Sequence, residues 1–197
     1  MNDASITRRG LMLAGLAMLG AGCTPTVQAF TPVTSALGVN SPVDPRYRRQ
    51  RVQYTGADAP GTIVVNISER YLYAVEDGGW ATRYGVAVGE EGLSFKGQAK
   101  IGRKQEWPSW RPTQSMIERK PRLAQYADGV PGGPDNPLGA AALYLYQDGR
   151  DTLFRVHGTN EPWSIGHAVS NGCIRMTNDD IVDLYQRTPI GTKVLVV

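Results

Sequence analysis

The chain has 197 residues, 20% of them charged and 41% hydrophobic, with a formal net charge of +3, which suits one domain with a core large enough to be stable alone. Its 23 Gly and 13 Pro favour turns and short strands and exclude an all-α fold. No run of Lys and Arg is interleaved with aromatic residues or clustered along a helical pattern, so nucleic acid is excluded as a partner.

The chain opens with an address label. Arg8 and Arg9 precede an apolar stretch, Leu11 to Gly22, that is too short to span a bilayer. Residues 1–29 are therefore predicted to be a signal peptide, with a paired arginine of the twin-arginine type. Two cleavage sites compete. Leu19-Gly20-Ala21-Gly22-Cys23 resembles a lipoprotein box that would leave a lipid anchor on Cys23, and Val27-Gln28-Ala29 suits ordinary signal peptidase. Either cut predicts an exported protein of the periplasm or cell envelope that touches membrane only through its signal or its lipid. The mature chain then carries 19 basic and 17 acidic residues, a net charge of +2. Residues 30–60, rich in Pro, Thr, Ser and Arg, read as an extended linker.

From Gly61 the pattern becomes period-two. Ile63, Val65 and Ile67 alternate with Val64 and Asn66, and Tyr71 to Val75 follows a polar turn at Ser68-Glu69-Arg70, which predicts a hairpin. Asp77-Gly78-Gly79 is a second turn, followed by a strand from Trp80 to Val88 with Trp80, Thr82, Tyr84, Val86 and Val88 on one face. Further strands are predicted near Gly97–Ile101, Ala141–Tyr146, Leu153–His157 and Lys193–Val197, with an irregular Pro/Gly-rich insertion from Pro108 to Gly139 of the kind that covers a site or binds something. One helix is predicted, Asn178 to Arg187. Ile181, Leu184 and Tyr185 fall at helical spacing, Thr177 caps the start and Pro189 lies beyond the end. The predicted domain, residues 61–197, is mainly β with one helix after the cysteine loop.

Cys23 is either removed or lipidated, which leaves Cys173 as the sole thiol of the mature chain. An unpaired cysteine in an oxidising compartment points to a reactive thiol, against the plainer reading of a small buried apolar residue. Its context favours chemistry. In Ser170-Asn171-Gly172-Cys173-Ile174-Arg175-Met176 a Gly turn exposes the thiol, the N–H groups of Gly172 and Cys173 are candidates for an oxyanion hole, and the helix that follows is expected to favour a thiolate. A nucleophilic thiol needs a base. His157 ends an apolar strand beside Gly158 and is the better candidate, expected to lower the thiol pKa, whereas His167 lies in a Gly- and Ser-rich loop. A zinc set of His157, His167 and Cys173 has spacings of ten and six, which fit no compact metal motif.

His157-Gly158-Thr159 followed by Ser170-Asn171-Gly172-Cys173-Ile174-Arg175-Met176 resembles the signature of the L,D-transpeptidase (YkuD-type) catalytic domain. The resemblance extends to Gly61-Thr62-Ile63-Val64-Val65, Tyr71-Leu72-Tyr73, Tyr84-Gly85-Val86-Ala87-Val88-Gly89 and Asn136-Pro137-Leu138-Gly139, so it spans about residues 58–197. It implies a sandwich-like β domain in which Cys173 is the acylated nucleophile, His157 the general base, and the Gly158 carbonyl the group that orients the imidazole. Many relatives carry a second histidine where this chain has Asn171, which puts a proton-shuttling role there in doubt. The implied substrates are peptidoglycan stem peptides, cleaved between diaminopimelate and a terminal D-Ala. The implied acceptor is an amine of another stem, of an envelope lipoprotein or of a D-amino acid, with no metal and no organic cofactor.

The candidate substrate-contacting residues are Arg175, Arg155, Ser170, Asn171, Trp163 and Tyr84. Arg175 has two readings, a salt bridge that fixes the cysteine loop or a two-point clamp for a carboxylate. Arg155 shares the strand face of His157 by alternation, and Trp163 lies in the loop between His157 and Cys173. Two rivals share these residues: an L,D-carboxypeptidase, in which water replaces the amine, and a non-catalytic peptidoglycan-binding module.

Overall fold

Short runs of β-branched and aromatic residues separated by Gly turns build a computed structural model that describes residues 43–90 and 93–197. The signal-peptide and cleavage-site expectations lie outside the described residues. In chain order the strands are β1 (Gln50–Gln53), β2 (Ile63–Asn66), β3 (Tyr71–Glu76), β4 (Trp80–Gly85), β5 (Val88–Gly89), β6 (Gly97–Glu106), β7 (Ala141–Gln147), β8 (Arg150–His157), β9 (Ala168–Ser170), β10 (Ile174–Arg175) and β11 (Lys193–Val196). The helices are α1 (Gln114–Arg119) and α2 (Asn178–Arg187). The domain is mostly β, as expected.

Nine strands form one sheet in the order β1-β4-β3-β2-β11-β6-β7-β8-β10, and β5 pairs with β9 in a second, two-stranded one. The last strand joins the two halves, since β11 runs parallel to β2 on one side and antiparallel to β6 on the other. The large sheet also folds back on itself. Ala87, just past the end of β4, exchanges two hydrogen bonds of 2.9 and 2.8 Å with Arg175 of β10, the strand at the opposite edge. One continuous apolar core results, with Val65, Leu72, Tyr84, Ile101, Leu143, Leu145, Val156 and Met176 fully enclosed.

Helix α2 closes that core with Ile181 and Leu184. Its first turn is capped as the sequence suggested, and its last is met by a residue the sequence did not point to. Thr177 accepts from the Asp180 N–H at 3.2 Å, and at the far end Lys104 of β6 donates to the carbonyls of Tyr185 and Thr188 at 2.6 and 2.7 Å, meeting the unpaired C-terminal acceptors with a cation.

Four expectations change. Residues 45–53 are not part of a tether: Pro45–Tyr47 form a 3-10 turn with Tyr47 buried, and β1 pairs antiparallel with β4. The strand predicted from Trp80 to Val88 stops at Gly85, where any Cβ would strike Tyr47. Strand β6 runs on to Glu106, past the predicted end at Ile101, because Arg103 to Glu106, polar residues with no apolar alternation, pair with Tyr144 to Ala141 of β7. The insertion from Pro108 to Gly139 holds helix α1, capped by Thr113.

The cap of α2 sets a first test. Thr177→Ala is expected to cost about 1 kcal/mol, read as a lower urea midpoint with an unchanged slope.

Candidate active site

The site is built on two neighbouring parallel strands. β8 and β10 pair with Ile174 opposite Val156 and Arg175 opposite His157. Side chains alternate along a strand, and Val156, Ile174 and Met176 all enter the core. Arg155, His157, Cys173 and Arg175 therefore share the opposite face, on backbones ~4.8 Å apart. Two residues separated by sixteen positions of chain thus emerge side by side.

His157 is buried, and its Nδ1 lies 2.6 Å from the Gly158 carbonyl. A carbonyl only accepts, so Nδ1 carries the proton and Nε2 is left as a lone-pair base. Burial, with the positive charges of Arg175 and Arg155 adding to it against the pull of that carbonyl, holds His157 down to about 3 from its ordinary 6.5. The imidazole is neutral at working pH.

The Gly158 end of β8 is held from three sides. The Gly158 N–H donates to Ala141 O at 3.0 Å, and Asn178, the first residue of α2, accepts through Oδ1 from the Ala140 and Thr159 N–H groups at 3.0 and 3.2 Å. A Cβ at Gly158 would collide with that same Oδ1. Asn178 escaped the sequence reading because both of its partners are remote in the chain.

Cys173 is half-buried and unpaired. Its Sγ faces the Leu153 carbonyl at 3.9 Å. Leu153 is a non-glycine residue with φ of 63°, at an irregularity in the β7–β8 register; Asp151 Oδ1 accepts its N–H at 2.8 Å and holds it there. Such bulges re-aim groups next to sites. The expected thiolate is not found. Burial pushes the Cys173 thiol up, opposed by the Arg155 N–H and the charges of Arg155 and Arg175. Helix α2 begins only at Asn178, and the Thr177 hydroxyl caps its first turn.

Ser170 is a pin within the turn. It is buried, donates through Oγ to Cys173 O at 2.5 Å, and accepts from the Gly172 N–H at 3.1 Å. The substrate-contact expectation for Ser170 gives way to this internal role. The Gly172 N–H, expected in the oxyanion hole, is engaged by the same hydroxyl, whereas the Cys173 N–H has no partner among the described residues. Tyr84 also leaves the site: it is fully buried and donates its hydroxyl to Asp183 at 2.5 Å.

Arg175 makes the salt bridge, with Nη1 2.7 Å from Glu161 Oε2, which ties β10 to the loop between His157 and Cys173. Arg155 pairs with Asp151 at 3.2 Å and stacks on Tyr144. A groove of about 860 Å³ runs between the insertion and that loop, and its lining includes Trp163, His167, Asn171 and Arg175 together with Lys120 and Tyr126 of the insertion. Lys120 bridges the groove to Glu90 at 2.7 Å. A second cavity of about 460 Å³ is lined by Phe95, Asp151, Thr152 and Phe154, the last two flanking the residue whose carbonyl faces the thiol. Among the described residues no three His, Cys, Asp or Glu side chains gather as a metal-ligand set.

The family model of the L,D-transpeptidase catalytic domain, YkuD, matches residues 60–196, which take in β2 to β11 and every residue of this site. The chain belongs to that family. Its L,D-transpeptidase relatives include the Escherichia coli proteins named Probable L,D-transpeptidase ErfK/SrfK, 37% identical over 68% of this chain, and Probable L,D-transpeptidase YbiS, 38% identical over 67%. In each case the match takes in 43% of the longer relative. A Brucella melitensis crystal structure described as a probable carnitine operon oxidoreductase is 51% identical, with a TM-score of 0.53, covering 79% of this chain and 96% of that one.

Two tests follow from this L,D-transpeptidase-type site. Asn178→Leu leaves two backbone N–H groups without an acceptor and is expected to cost about 2–4 kcal/mol in urea denaturation, with Asn178→Asp recovering part of the loss. The second concerns acid. The native state holds His157 neutral to about 3, so its contribution to stability is full above the ordinary 6.5 and is lost as pH falls from there toward 3, because the unfolded chain takes up the proton first. His157→Gln should therefore flatten the decline in urea midpoint across that window.

Proposed function

We propose that this chain is an exported peptidoglycan L,D-transpeptidase working by acyl transfer through Cys173. The observation that carries the reading is the neutral His157, its Nδ1–H spent on Gly158 and its Nε2 without a partner among the described residues, beside the neighbouring strand β10 that Cys173 immediately precedes. Family membership and the L,D-transpeptidase relatives supply the substrate class.

Cys173 attacks the carbonyl carbon between diaminopimelate and the terminal D-Ala of a donor tetrapeptide, and its proton passes to His157 Nε2. The Cys173 N–H faces the developing oxyanion. Collapse breaks the C–N bond, His157 returns the proton to the departing D-Ala nitrogen, and a thioester remains on Cys173. An acceptor amine then attacks the thioester carbonyl and gives its surplus proton to His157, which returns it to the departing sulfur. The acceptor is an amine of another stem, a lipoprotein lysine or a D-amino acid; with water in its place the product is that of an L,D-carboxypeptidase. The raised thiol pKa makes the base necessary, since little thiolate exists before the substrate arrives. The groove lined by Asn171 and Arg175 and the cavity lined by Thr152 and Phe154, neighbours of Cys173 and of Leu153 in the chain, suit two approaches, one for the donor stem and one for the acceptor. Residues 1–29 would deliver the protein to the periplasm, anchored through Cys23 or released after Ala29.

Incubation with disaccharide-tetrapeptide, followed by mass spectrometry of muropeptides, tests this directly. Wild-type protein should release D-Ala and yield cross-linked or exchanged product, and Cys173→Ala should lose at least about three orders of magnitude in rate. A carbapenem should add one drug mass on the peptide containing Cys173. A folded, reduced protein that neither processes the tetrapeptide nor takes up the drug would leave the binding-module alternative as the better reading.

A further inference from the structure

The segment ahead of the family domain grips the site from behind. Tyr47, in the 3-10 turn Pro45–Tyr47, is buried in a small cluster of its own with Ala87 and Ile165. Ala87 exchanges both of its backbone hydrogen bonds with Arg175, so the aromatic ring backs the residue that fixes the outer edge of β10. Ile165 and Gly166 belong to the loop that joins His157 to Cys173. A Cβ on Gly166 would strike the Tyr47 ring, and a Cβ on Gly85 would strike its backbone and Cβ. Tyr47 is thus seated against two glycines whose missing side chains make its room.

Two residues on, Arg49 reaches α2, the helix that follows the cysteine. Its guanidinium lies 3.0 Å from Asp183 and 3.6 Å from Asp180, and Asp183 also accepts from Tyr84 of β4. Strand β1 then registers the segment on β4 through four residue pairs, Gln50–Arg83 to Gln53–Trp80, and Tyr71 donates to Arg46 O at 3.0 Å. The contacts of Arg46, Tyr47, Arg49 and β1 are all made by residues that precede the matched range 60–196.

We propose that residues 43–53 are a positioning strap for the His157–Cys173 pair, with Tyr47 holding the loop and β10 through Gly166 and Ala87, and Arg49 holding α2. Neither residue touches substrate; both act through the elements that carry the reacting groups. The pair stands on adjacent strands of which β10 has only two residues, and an ångström-scale shift between nucleophile and base is enough to cost about a hundredfold in rate. The strap keeps that short strand in register from its outer side. The consequence for acyl transfer rests on the function proposed above; the consequence for thiol reactivity does not.

Full-length protein carrying Tyr47→Ala, Tyr47→Phe or Arg49→Met separates the two. Alkylation of Cys173 by iodoacetamide is followed against pH and mapped by digestion, because Cys23 is a second thiol of the full chain. Turnover of disaccharide-tetrapeptide is measured on the same samples, well below each variant's melting temperature. Tyr47→Ala and Arg49→Met should move the pH midpoint of alkylation and lower kcat by about tenfold or more with little change in KM. Tyr47→Phe, which keeps the ring, should restore both to within about twofold on the same criterion. A shifted alkylation profile in a protein whose wild type shows no turnover upholds the strap and counts against the proposed activity. A folded Tyr47→Ala with the wild-type profile and wild-type kcat overturns the strap. Should Tyr47→Ala fail to fold, Tyr47→Leu and Arg49→Met decide by the same two readouts.

Discussion

The site depends on one short parallel ladder. Two residues of β10 lie beside the end of β8, and that pairing sets Arg175 opposite His157 and sinks Val156 and Ile174 in the core, with Cys173 immediately ahead of it. A slip of one residue would send the thiol into the apolar interior and bring Ile174 to the surface. Two residues of pairing are too few to resist such a slip unaided. Around the ladder, Ala87 hydrogen-bonds the outer edge of β10, Met176 donates back to the His157 carbonyl, and Ser170 laces the turn that leads in.

Much of this was legible because the signals were local. Thr177 and Pro189 bracket α2, the alternation through Ile63 and Val65 marks the first strand of the core, and a histidine beside glycine closes the apolar strand β8 where it was expected. The misreadings share one cause. Tyr84 and Ser170 are polar side chains whose partners lie elsewhere in the fold or within the turn itself, and both hydroxyls are satisfied internally. Strand β1, Gln-Arg-Val-Gln, is an exposed edge with no apolar alternation, so only its pairing with β4 makes it a strand. Asn178 carries no sequence mark of its role, since the N–H groups it accepts from are 38 and 19 residues away.

The electrostatics also depart from the picture of a preformed ion pair. The same burial that makes the imidazole a neutral base raises the thiol, so neither partner is charged at rest. Arg155 and Arg175 add positive charge to that face, yet each is partnered by a carboxylate, Asp151 and Glu161, and the field at the sulfur is moderated accordingly. A resting neutral pair suits a reaction in which the proton moves together with the attack, because no buried charge has to be sustained while the groove stands empty.

The Leu153 carbonyl has a consequence of a different kind. An S–H directed at a backbone acceptor, in surroundings that disfavour the anion, is a poor target for peroxide and for other disulfides, since both react with the thiolate. The one cysteine thiol among the described residues thus has its anion, the form that enters sulfenic acid and mixed-disulfide chemistry, disfavoured. A left-handed backbone turn at an exposed leucine thus bears on the redox chemistry open to this sulfur as well as on its position.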